Sequence, residues 1–134
     1  MRTFTLLLQD ATRAQETEGV SSFVGEDASG SFGIQAGHVR FMSILKMGLA
    51  RFRIGEDQWT YLASPGAVLY FRDNRLTIST RRFLLDNDYM RISRALEEQL
   101  MEEEAKLRVM KESLHQMDEA ILRRLWEMGR RVTG

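Results

Sequence analysis

The two histidines, His38 and His115, fall in different halves of the 134-residue chain. There is no cysteine, which excludes disulfides, thiolate metal sites and thiol nucleophiles together. No H-x-x-H or H-E-x-x-H spacing and no acidic calcium loop occurs, so the pattern supports no dedicated metal site. His38 beside Gly37 could serve as a general base, yet no nucleophile or orienting acid is implied next to it. Gly30-Ser31-Phe32-Gly33 lacks the G-K-[ST] ending of a phosphate-binding loop. Its glycines, with Gly37, mark tight turns and close backbone approach instead. These residues assemble no catalytic centre.

Composition narrows the classes further. Lys plus Arg (19) balances Asp plus Glu (19), so no global field draws the chain to nucleic acid or to an anionic membrane. No apolar run approaches the ~20 residues that span a bilayer, which argues against direct membrane insertion. The opening Met1-Arg2-Thr3-Phe4-Thr5 carries no signal-peptide core, and the expected compartment is the cytoplasm.

The elements that must position these residues divide into two kinds. Eight of the ten glycines lie between Gly19 and Gly66, the single proline is Pro65, and no Gly or Pro then occurs until Gly129. Closely spaced turn residues mean short strands, and their absence permits long helix. Phe4–Leu8, Val20–Val24, Leu49–Ile54, Trp59–Leu62, Ala67–Phe71 and Leu76–Thr80 read as strands. Ala50, Phe52 and Ile54 should share the core face, opposite Arg51 and Arg53. Ala67–Phe71 is apolar on both faces, as for a strand inside a sandwich. Gly55-Glu56-Asp57 and Arg72-Asp73-Asn74-Arg75 read as hairpin turns. The expectation is an all-β sandwich of about ten short strands over residues 1–85.

Residues 86–134 read as a C-terminal α-helical arm, with N-cap candidates in Asp86-Asn87-Asp88. An apolar heptad series runs Leu100, Leu107, Leu114, Ile121, Met128, while the partner series is interrupted by Glu103 and Arg124. Such a stripe packs on its own sandwich or docks on a partner, and periodicity does not separate the two. Ser113-Leu114-His115-Gln116 has capping-box form, so the arm is either a helix hairpin or one long helix. Glu97, Glu98, Glu102, Glu103 and Glu104 make its start acidic, and Arg123, Arg124, Arg130 and Arg131 make its end basic. Much of that sorting suits a solvated helix face and its dipole.

The run Gly30-Ser31-Phe32-Gly33-Ile34-Gln35-Ala36-Gly37-His38 resembles the signature E-G-x-F-G-I-x-P-G-H-A-P of the epsilon subunit of bacterial rotary F-type ATP synthases. A second stretch, Ala63-Ser64-Pro65-Gly66 through Leu76-Thr77-Ile78, is similar to that family's turn, apolar strand and Asn-led return strand. The resemblance implies a ten-stranded sandwich at the foot of the central stalk, touching the gamma subunit and the polar loops of the membrane ring. It assigns Ser31, Phe32 and His38 to that foot, where Arg40 would add a charge near the ring interface. It also implies that the arm inhibits ATP hydrolysis, with Arg123, Arg124, Arg130 and Arg131 meeting acidic segments of the catalytic head subunits. The subunit would be non-catalytic and peripheral, on the cytoplasmic side of the inner (plasma) membrane of a bacterium, in a machine moving protons or sodium ions. Two departures stand out: Gln35-Ala36 and Val39-Arg40 replace the family's residues around Gly37-His38. Some members bind ATP through Ile/Leu-Asp-x-x-Arg-Ala at the start of the arm. Here Met90-Arg91-Ile92-Ser93-Arg94-Ala95 has Arg91 in place of the aspartate, so no ATP or other cofactor is expected. A different class of reading is a free-standing sandwich adaptor that dimerises, or binds a partner, through the arm.

Overall fold

Alternation of apolar and polar residues gives most N-terminal strands one face for a core, and short turns let those faces meet. In the computed structural model, residues 2–133 are described, with side chains described for residues 2–129. Nine strands form among them: β1 (Phe4–Gln9), β2 (Ala14–Asp27), β3 (Gly30–Ile34), β4 (Phe41–Leu45), β5 (Gly48–Ile54), β6 (Thr60–Ser64), β7 (Ala67–Arg72), β8 (Arg75–Thr80) and β9 (Leu84–Asp86). One sheet runs in the order β4-β7-β8-β1-β2-β5-β6-β9, with β3 paired to β2. All pairs are antiparallel except β1 with β8.

The sheet curls on itself into a sandwich. Inward residues from both of its ends, Leu45 and Phe71 with Phe23 and Phe52, join Leu6, Leu8 and Ile78 in one buried cluster. Each fully buried side chain of this size contributes about 1.5–3 kcal/mol by leaving water. The long strand β2 makes the turn between layers: it pairs with β1 through Ala14–Val20, and with β5 and β3 further on. Bulges near Gly19 and Ser21 give it the extra twist. Where β2 passes under β4 the approach is close. A Cβ on Gly25 would lie 2.8 Å from Leu45 Cδ2, so only glycine fits there without displacement.

Two sequence expectations about faces are corrected. Ile54 is 43% exposed rather than core-facing, because it ends β5 where the Ser21 bulge hands the backbone over to the Gly55 turn. There Ser21 Oγ donates to the Gly55 carbonyl at 2.6 Å. Strand β7 is not covered on both faces: Val68 is 51% exposed, since its outer side is open to solvent beside the edge strand β4.

After β9, Asp88 caps helix α1 (Tyr89–Ala95), its carboxylate accepting from Arg91 N at 3.1 Å. A π-helical turn follows (Leu96–Met101), then helix α2 (Glu102–Thr133). The helical path is continuous at Ser113, so of the two arm forms the sequence allowed the long helix is the one found. The chain divides into two compact units, Met1–Leu100 and Met101–Gly134. Helix α1 and the π turn as far as Leu100 belong to the first: Ile92 and Leu100 are buried with Ala63 of β6, flanked by Leu49, Leu84 and Leu96. The second unit contains α2, whose first turn holds Glu102, Glu103 and Glu104 where the helix dipole favours anions.

Candidate functional site

The Gly30–Arg40 segment is organised by aromatic contact. Phe32, on β3, packs on Phe41 of β4 with ring centroids 5.2 Å apart, and His38 meets the same ring edge-on at 5.6 Å. His38 also lies 5.8 Å from Phe71, and its Nδ1 donates to the Val39 carbonyl at 2.7 Å. Half-buried and held on three sides, this imidazole stabilises the loop's shape, and its neighbours among the described residues are rings and a backbone carbonyl. Asn74 Oδ1 accepts from Gly37 N at 2.7 Å, tying the loop to the β7–β8 hairpin. Gly37 has φ +80°, a conformation that a side chain would strain.

Of the four residues expected at the foot, the structure joins two. Phe32 and His38 share Phe41, whereas Ser31 lies exposed on the opposite face of β3. Arg40 turns to β7, where its Nε donates to Tyr70 Oη at 3.1 Å. That hydrogen bond, with the nearby guanidinium charge, lowers the Tyr70 phenol from its ordinary value.

Next to this loop lies an apolar strip that sequence reasoning missed. Met42 and Ile44 of β4 are 67% and 69% exposed, and with Val68 of β7 they line a groove that ends at Asp27 and Ser29. In the ladder Ile44 pairs directly with Val68. The floor is rigid: the Asp27 carboxylate accepts from Ser29 Oγ at 2.5 Å, Ser29 N at 2.9 Å and Ser43 Oγ at 2.6 Å. These donors, Ser29 first, hold its pKa below the usual carboxylate range. The available signal was Phe41-Met42-Ser43-Ile44-Leu45, which is apolar on both faces of a strand.

Among the basic arm residues, Arg123 and Arg124 are exposed on α2; the side chains of Arg130 and Arg131 lie outside the described residues. His115 pairs with Glu119 along the same helix at 3.0 Å. At the arm's start Arg91 engages Asp86 with Nε and Nη2, drawing the carboxyl down to about 2. Among the described residues no cluster suited to a metal ion occurs, and no helix is long and apolar enough to cross a membrane.

A strongly curled nine-strand sandwich with a capped helix leaving its last strand defines a class. The family model of the ATP synthase delta/epsilon chain β-sandwich domain matches residues 3–86, and the chain belongs to that family. It is 38% identical over 85 residues to ATP synthase epsilon chain 2 of Cereibacter sphaeroides, a match covering 63% of this chain and 58% of that protein. The chain thus spans less than two thirds of that relative's length. In fold it is similar to a chain of the mitochondrial ATP synthase of Euglena gracilis, with TM-score 0.59, 18% identity, and coverage of 73% of this chain and 64% of that one. It also resembles a chain of the central stalk and c-ring of the Tetrahymena thermophila mitochondrial ATP synthase, with TM-score 0.51, 15% identity, and coverage of 63% and 69%.

Proposed function

We propose that this chain is a non-catalytic subunit of the central stalk of a rotary ATP synthase, seated between a gamma-type shaft and the polar loops of a membrane ring. The observation that carries this is the exposed strip of Met42, Ile44 and Val68 beside the stiff Phe32–His38 loop. Adjacent large apolar side chains left in water on a rigid sheet mark a protein-binding surface. The strip would take the shaft, and the loop with Ser31 and Arg40 the ring. Such a subunit stays on the membrane periphery through its partners, on the cytoplasmic side in a bacterium.

The arm would restrain ATP hydrolysis. Its exposed apolar stripe and the cations Arg123 and Arg124, with Arg130 and Arg131 beyond, suit an acidic, partly apolar berth in the catalytic head. No ATP sensing is assigned to it, because Arg91 stands where a nucleotide-binding aspartate would and is engaged by Asp86. The test is reconstitution with gamma and ring components. The full chain should co-purify with the gamma subunit, and a chain ending at Leu100 should still co-purify while hydrolysis by the complex rises. A chain that binds neither component would overturn the reading.

A further inference from the structure

Helix α2 carries an apolar stripe of Leu107, Met110, Leu114, Met117 and Ile121, with Met110, Leu114 and Met117 each nearly 60% exposed. We propose that the free subunit pairs with a second copy of itself through this stripe, as an antiparallel two-helix coiled coil in one register. The argument is charge. In a parallel pair each residue faces its own copy, which stacks Arg124 on Arg124 and Glu103 on Glu103 in the seam. It also sets Lys106 beside Lys111 across the flank.

Turning one copy round removes every one of these clashes. With Met110 opposite Ile121 and Leu114 opposite Met117, the seam is apolar across its centre. The flanking positions then place Lys106 beside Glu127 and Lys111 beside Asp118 of the second copy, and two-fold symmetry repeats both pairs. Arg124 falls against Leu107, one turn from Glu103, so the two charges that interrupt the stripe lie near each other. A shift of one heptad either way loses the match: one direction sets Lys111 against Lys111, and the other Asp118 against Asp118. The overlap of residues 103–128 is about 39 Å of helix at ~1.5 Å per residue. Methionines at the seam adapt to more than one neighbour. The same face can therefore leave its twin for another helix, and self-pairing would compete with any berth the arm takes in a complex.

The native chain has no cysteine, so single introduced thiols report geometry directly. Sedimentation equilibrium on the full chain should show a dimer. A mixture of Met110→Cys and Ile121→Cys chains should form a disulfide-linked heterodimer on mild oxidation, while Met110→Cys alone should not cross-link. Lys111→Glu should weaken dimerisation at least about tenfold, and Lys111→Glu with Asp118→Lys in one chain should restore it. Circular dichroism of each variant checks that the helix is kept. A monomer at all concentrations up to roughly 100 µM would overturn the proposal. So would self-cross-linking of Met110→Cys, which reports a parallel pair, or a double charge swap that fails to restore the dimer. None of these outcomes bears on whether the sandwich binds a shaft subunit.

Discussion

Arg91 reaches back five residues to clamp Asp86, its Nη2 donating to Oδ1 at 2.7 Å while Nε holds the other carboxylate oxygen. The pair joins the last strand of the sandwich to the first helix of the arm, and Asp88, between them, caps that helix. A charged fork on a carboxylate is directional as well as attractive, so it sets the angle at which α1 leaves the sheet.

The clamp has a pH signature. Arg91 lowers the Asp86 carboxyl to about 2 from an ordinary value of 3.8, so the folded state prefers the charged form. That contribution is present in full above pH 4 and is lost as pH falls towards 2. Arg91→Ala should therefore lower the melting temperature at pH 6, and its deficit relative to the native chain should shrink between pH 4 and pH 2. A deficit that stays constant across that range would show that Arg91 acts by packing alone.

Where the first compact unit ends is a second question with a measurable answer. Ile92 and Leu100 are both 1% exposed and seated on Ala63, so α1 and the π turn as far as Leu100 complete the first unit. A chain ending at Asp86 exposes the surface they cover, whereas one ending at Leu100 keeps it. Thermal unfolding should place the shorter chain well below the longer one. Ile92→Ala in the full chain should cost about 2–4 kcal/mol. Equal melting temperatures for the two truncations would mean that this cluster adds nothing.

Much of the fold could be read from residue order, and the exceptions have causes. Asp73 and Asn74 both take positive φ, 52° and 56°, which is the type I′ turn that the Arg72–Arg75 motif announces. Strand β3 escaped notice because Gly30 and Gly33 dilute it, and β4 because Val39-Arg40 and Lys46-Met47 flank it without the close turn residues that set off Ala67–Phe71. Val68 looked interior because residue type reports preference for apolar surroundings and not the neighbour that supplies them. The π turn has no local motif. It lies where Leu96 and Leu100 pack on the sheet, a tertiary contact invisible to periodicity. Ser113 has the residues of a helix start, yet no breaker precedes it and the helix runs on. The proposed foot residues rest on resemblance and not on residue pattern, since Ser31, Phe32, His38 and Arg40 share no chemistry that spacing could reveal.

Asn74 serves two ends at once, adopting the left-handed turn and accepting from Gly37 N. Asn74→Gly keeps the turn and loses the acceptor; Asn74→Ala loses both. Stability should fall by about 1–2 kcal/mol for alanine and less for glycine. Hydrogen exchange at Gly37 should quicken in both variants, because that amide then has only water as a partner. Unchanged protection at Gly37 would mean that the loop is held by the His38 ring contacts alone.

The apolar strip gives the last prediction. Met42 and Ile44 point outward from an edge strand whose inward residues, Phe41 and Leu45, pack against the core. Replacing both outward residues by aspartate therefore removes no core contact, and charge on an edge strand discourages unspecific pairing. Met42→Asp with Ile44→Asp should leave the melting temperature within a few degrees of the native value. If the strip is the seat of a shaft subunit, the same change buries two unpaired carboxylates in that interface. Affinity should then fall at least a hundredfold, as expected when charge is forced into an apolar contact. Pull-down and calorimetry with a gamma-type partner measure it. A variant that binds as tightly as the native chain would move the shaft contact to another face of the sandwich.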